Sequence, residues 1–109
     1  MVSLQFTGRV QPGSTLVVSR FGYSKPFQPK SIKVVKGNNK GLLIVALAVN
    51  GKKKLDSPIS VVTLGSFLGQ LAARRLEPVP ATSEIKVQFQ NVTNQGIDFC
   101  IEIWGELLG

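Results

Sequence analysis

The sequence predicts an all-β protein: a sandwich or barrel of about seven or eight short strands in one domain, with a short helix around residues 66–76. Three observations carry this prediction. Apolar and polar residues alternate along successive short runs, the period of a pleated strand with one buried face. Turn formers separate the runs, among them Pro12-Gly13, Asn50-Gly51 and Asn94-Gln95-Gly96. The chain has 109 residues, 43% of them hydrophobic, enough for one modest core and too few for a second, so residues 1–109 read as a single domain.

Leu4 and Phe6, followed by Gly8, alternate with Gln5 and Thr7 as a first strand, and Gln11-Pro12-Gly13-Ser14 turns the chain. Thr15 to Phe21 (T-L-V-V-S-R-F) is rich in β-branched residues and gives a second strand. Gly22 to Pro29 (G-Y-S-K-P-F-Q-P) reads as a loop. Its two prolines cannot donate ladder hydrogen bonds and hold their predecessors extended, which also excludes a helix. Lys30 to Lys36 is a third strand, and Gly37-Asn38-Asn39-Lys40-Gly41 is a turn in which Asn and Gly supply positive φ at little steric cost.

Leu42 to Val49 (L-L-I-V-A-L-A-V) is apolar throughout, which predicts a central strand covered on both faces. Asn50-Gly51 reverses it, and Lys52 to Leu55 starts the return. Pro58 to Leu64 (P-I-S-V-V-T-L) is another extended run. Between Gly65 and Glu77 the period changes: Phe67, Leu68, Leu71, Ala72 and Leu76 recur at three- and four-residue spacing behind Ser66 as an N-cap, which predicts the helix that Pro78 and Pro80 end. Finally, Ile85, Val87 and Phe89 alternate with Lys86, Gln88 and Gln90. Ile97, Phe99, Ile101 and Ile103 then alternate with Asp98, Cys100, Glu102 and Trp104. These two strands read as a β-hairpin joined through Asn91 to Gly96.

Catalytic chemistry has little to draw on. Acid–base mechanisms need a group that titrates near neutrality, and the chain has no histidine. Asp98 and Glu102 share one side of a strand, but their spacing corresponds to about 13 Å of strand rise, beyond the roughly 5–9.5 Å used by paired glycosidase carboxylates. They read as a polar outward face. One cysteine and no histidine cannot build a zinc site, and neither a calcium loop, a phosphate-cradling loop nor a dinucleotide fingerprint occurs. The expectation is therefore a protein that is not an enzyme, with no catalytic residues, metal, cofactor or small-molecule substrate. Cys100 cannot form an intrachain disulfide and reads as a small space-filling residue. Met1-Val2-Ser3 lacks the basic and apolar regions of a secretory leader, and Leu42–Val49 is far shorter than the ~20 residues of a spanning helix, so synthesis in the cytoplasm is expected. In that setting Asn91-Val92-Thr93 is a turn rather than a glycosylation site.

The net charge of +7 is unevenly placed. Residues 1–54 carry ten basic residues and no acid, whereas residues 55–109 carry three basic residues and six acids. This layout attracts an anionic polymer or lipid surface, and it can also orient copies of one protein by complementary fields. Lys30, Lys33, Lys36, Lys52, Lys53 and Lys54 are the candidates for an anionic partner, although Lys30, Lys33 and Lys36 share no single face of an ideal strand. Sheet-based nucleic-acid modules expose aromatic residues for base stacking, whereas Phe21, Tyr23 and Phe27 cluster near the double-proline loop. Trp104 points away from Ile101 and Ile103; an outward tryptophan is favoured at contacts between subunits, and it is equally accommodated by packing under the C-terminal tail or against the second sheet. Trp104, Tyr23 and Phe27 are therefore the candidates for an oligomer interface.

The order of segments carries a resemblance. K-P-F-Q-P-K-S-I-K-V at Lys25 to Val34, G-L-L-I-V-A-L-A-V-N-G, P-I-S-V-V-T-L and the closing E-I-K-V-Q-F-Q-N-V-T-N-Q-G-I-D-F-C-I-E-I-W-G follow one another between about residues 25 and 105. In that order they resemble the small β-sandwich proteins of tailless icosahedral phages. The resemblance implies a single jelly roll acting as a virion structural protein, a vertex (penton) or minor capsid subunit in a cyclic or shell-like homo-oligomer with other capsid subunits. On that reading the basic half faces packaged nucleic acid, anionic lipid headgroups or an acidic neighbour. The alternative is a basic β-barrel that binds single-stranded nucleic acid.

Overall fold

The computed structural model describes residues 1–36, 40–55, 57–64 and 77–109. Eight strands run in the order β1 (Val2–Val10), β2 (Thr15–Phe21), β3 (Phe27–Lys36), β4 (Leu42–Val49), β5 (Lys52–Lys53), β6 (Ile59–Ser60), β7 (Glu84–Asn91) and β8 (Ile97–Leu107), with one helical turn, α1 (Val61–Leu64), after β6. They form two antiparallel sheets. One has the order β1-β8-β3, and the other has the order β2-β7-β4-β5, with β6 also on β4. The prediction of an all-β, sandwich-like protein holds, in two sheets rather than one closed barrel.

Alternation decides which side chains meet between the sheets. Leu4, Phe6 and Val10 of β1, Ile32 of β3 and Ile97, Phe99, Ile101 and Ile103 of β8 face Val18 of β2, Leu42 and Ile44 of β4 and Ile85, Val87 and Phe89 of β7 in a single core. Phe89 and Phe99 stack across its centre with ring centroids 4.1 Å apart, a contact worth about 1 kcal/mol beyond the area it buries. Gly105 sits where a Cβ would overlap the Gln28 carbonyl and the Phe27 ring, so only glycine lets β8 and β3 approach there.

The pairings are nested. β1 pairs with β8, β2 with β7, Phe27 of β3 with Val79, and β4 with β5. The innermost pair closes at Asn50-Gly51, where Val49 faces Lys52 across a two-residue turn with φ of 51° and 80°, the geometry expected of Asn-Gly. Successive pairs fall in alternate sheets. The chain is thus doubled about residues 50–51 into a ribbon, and the ribbon is wrapped so that β8 also pairs with β3, and β7 with β4.

This wrapping corrects the reading of residues 84–107. Both strands exist, but β7 and β8 lie in opposite sheets, and residues 92–96 arch from one to the other instead of closing a hairpin. Alternation reports a period, and it is silent on the partner.

Other boundaries move for local reasons. β3 begins at Phe27, within the predicted loop, because a register shift between Pro29 and Ser31 accommodates the proline in an edge strand. β1 extends from Val2 to Val10, beyond the predicted Leu4–Gly8. The return strand is only Lys52–Lys53. Pro58–Leu64 is not extended throughout: Ile59–Ser60 pairs with β4, and Val61 then starts the helical turn, with its own side chain fully buried. The helix predicted for residues 66–76 lies outside the described residues, as does most of the Gly37–Gly41 turn. β2 and β4 match their predicted bounds. β4 does lie between neighbours on both sides, yet its outward residues Leu43, Ala46 and Ala48 are half-buried rather than covered.

Candidate functional site

The sandwich has two outer faces and two ends, and the candidate residues distribute unequally among them. On the outer face of β1-β8-β3, the central strand β8 presents Asp98, Cys100, Glu102 and Trp104. Trp104 lies between Ser3 on β1 and Ser31 on β3, small neighbours that leave the indole room along the sheet, and its Nε1 donates to Glu102 Oε1 at 3.2 Å. It is half-buried and points outward, as alternation predicts. Cys100 is buried on this same outer face, where Gln5 Nε2 lies 3.2 Å from its Sγ.

Charges on this face are interleaved. Arg9 holds Asp98 at 2.9 Å, and Lys33 stands opposite Glu102. Two register shifts in β3, at Pro29/Ser31 and Val34/Lys36, alter the strand arithmetic: positions 33 and 36 both pair with outward positions of β8, while Lys30 is the extra residue of the first shift. The second shift sets position 36 opposite Cys100, two residues along β8 from the partner of position 33.

The other aromatic candidates separate. Phe27 is 1% exposed and packs in this chain's own core, so it is corrected from interface candidate to core residue. The proline-flanked segment had no alternation from which that burial was legible. Tyr23 is half-buried, its ring 6.0 Å from that of Phe27, and its hydroxyl donates to the Ser3 carbonyl. Arg20 Nε donates to the Gln5 carbonyl at 2.9 Å. Together these two side chains occupy carbonyls along the open edge of β1, a device that blunts an edge strand. Phe21, placed near the loop by sequence, ends β2 on the outer face of the second sheet and is 69% exposed.

At one end of the sandwich, Asn91 is fully buried and uses its whole amide. Its Nδ2 donates to the Val10 carbonyl at 3.0 Å and the Gln95 carbonyl at 2.6 Å, and its Oδ1 accepts from the Thr93 amide at 2.9 Å and lies 2.7 Å from the Thr93 hydroxyl. The side chain of Asn91-Val92-Thr93 is therefore committed to the arch, in keeping with the turn reading. The sequence singled out the tripeptide but not this network.

At the other end, Asn50 donates from Nδ2 to Ser83 Oγ at 3.0 Å and accepts the Glu84 amide on Oδ1 at 2.9 Å. Exposed Lys52 and Lys53 sit beside this turn, with Lys54 reaching Glu77 at 3.4 Å. Lys25 lies in the 22–26 loop at the same end, and Lys86 pairs with Glu84 at 3.5 Å. Lys25, Lys30, Lys33, Lys52 and Lys53 form no ion pair among the described residues.

Among the described residues, no three His, Cys, Asp or Glu side chains converge. A small, partly open pocket of about 30 Å³ lies among Leu4, Phe27, Val49, Val79, Ile85 and Ile103, with Lys54 and Glu77 at its lining. A wider depression of about 600 Å³ opens between Lys40-Gly41 and residues 93–98. Comparison of the chain with protein families, curated proteins and solved structures found no match.

Proposed function

We propose that this chain is a single jelly roll that serves as a structural subunit of an icosahedral virion, of vertex or minor capsid type, assembling with its own copies and other capsid subunits into a cyclic or shell-like oligomer. The nested pairing carries the reading. A ribbon doubled at Asn50-Gly51 and wrapped so that the pairs β1·β8, β2·β7, β3·Val79 and β4·β5 alternate between sheets follows the double-sheet logic of jelly rolls, a fold that recurs in capsid proteins. In this reading Val79 marks the place of a fourth strand beside β3, reduced to one bridge by hydrogen bonds of 2.8 and 2.7 Å with Phe27. Such folds also serve lectins and cupins, so the assignment to a capsid rests on resemblance as well as topology.

In this role the protein works by shape rather than turnover, and the outward Trp104 contributes to the contact between copies. Native mass spectrometry of the purified chain tests the reading: a ring or larger closed oligomer free of nucleic acid is expected. Trp104→Ala should shift that oligomer toward monomer while changing the melting temperature little. A monomer that binds single-stranded DNA with a steep salt dependence would instead support the basic nucleic-acid-binding reading.

A further inference from the structure

One end of the sandwich combines exposed apolar groups with lysines that have no acidic partner among the described residues. The turns 22–26 and 50–51 and the last residues of β8 meet there, as the registers of Phe21 with Glu84 and of Phe27 with Leu107 require. Phe21 is 69% exposed, Leu107 40% and Leu108 38%, and Leu108 is fixed by its amide donating to the Pro26 carbonyl at 2.8 Å. Beside these apolar groups stand Lys25, Lys52 and Lys53, exposed and without an acidic partner among the described residues. Among the described residues, the acids at this end are Glu77, held by Lys54, Glu84, held by Lys86, and Glu106, which faces Gln28, fewer than the lysines around them. The local balance is therefore cationic.

We propose that this end is a docking surface for an anionic lipid bilayer. Aliphatic side chains rimmed by lysines match the interface of such a bilayer, where apolar groups enter the headgroup boundary and each nearby lysine gains from the negative surface potential. A polynucleotide would use the lysines and the Phe21 ring but would gain nothing from Leu107 and Leu108, because base stacking needs a π-face. The proposal does not depend on self-assembly, since particle size reports on one and vesicle binding on the other.

Co-sedimentation of the full chain with vesicles provides the test. Vesicles of mixed phosphatidylglycerol and phosphatidylcholine should retain the protein at moderate salt, and pure phosphatidylcholine vesicles should not. The triple variant Lys25→Ser/Lys52→Ser/Lys53→Ser should weaken binding about 100-fold, about five-fold for each lysine. Phe21→Ser should weaken it about 10-fold. Lys33→Ser, on the sheet face, should change it less than about two-fold. All of these positions are solvent-facing, and circular dichroism checks that each variant is folded. Failure to bind anionic vesicles, equal loss with Lys33→Ser, or capture of a single-stranded oligonucleotide in place of vesicles with the same triple-variant dependence would overturn the proposal.

Discussion

The two ends of the sandwich are each organised by an asparagine, and the two asparagines do different work. Asn91 is buried, and its side chain binds the end of β1, its own strand and the arch that follows, so one amide joins both sheets. Asn50 is exposed and serves mainly through its backbone, adopting the positive φ of a two-residue turn, with its side chain tying that turn to Ser83 and Glu84. An interior amide cannot be replaced by water, whereas a turn amide at the surface can. The same residue type thus closes one end through buried hydrogen bonds and the other through backbone conformation.

The largest test of this contrast is Asn91→Ala, which leaves the buried Val10 carbonyl without this donor and removes the hydrogen bonds that hold Thr93 and Gln95 in the arch. It is expected to cost about 3 kcal/mol and to lower the melting temperature by more than about 10 °C in calorimetry. Asn50→Ala should cost about 2 kcal/mol in urea titration, from lost hydrogen bonds and a left-handed backbone. Asn50→Gly should recover about half of that, since glycine takes positive φ freely. If Asn50→Gly were as damaging as Asn50→Ala, the side chain rather than the turn geometry would dominate that end. Smallest is Tyr23→Phe, which frees the Ser3 carbonyl at the edge of β1 and should cost about 1 kcal/mol, with amide exchange in β1 rising more than in β4. An Asn91→Ala loss no greater than that of Asn50→Ala would remove the distinction altogether.

Sequence made the strands legible because burial writes a period of two into them, and β2, β4 and the inward set Ile97, Phe99, Ile101 and Ile103 read correctly for that reason. It also exposed the Asn50-Gly51 reversal, which depends only on local geometry. Pairing was less legible. A five-residue link between alternating strands looks alike whether it closes a hairpin or arches between sheets, and the choice rests on wrapping by distant strands. The surfaces suffered similarly. Phe27 carried no sign of burial because its neighbours are prolines and polar residues. The pairing of position 36 with Cys100 depends on a register shift that no residue type announces. Outward Trp104 was readable, being a product of alternation alone.

The position of β8 bears on how the molecule comes into being. It is the last strand in sequence and the middle strand of its sheet. During synthesis β1 and β3 therefore have no common partner until residues 97–107 have emerged from the ribosome, although β4 and β5 can zip around their short turn at once. Pairing β1 with β8 closes a loop of nearly the whole chain, the slowest kind of contact to find. Until then two strand edges stay open to any neighbouring polypeptide, so this sheet is where premature release or crowded expression would be felt as aggregation.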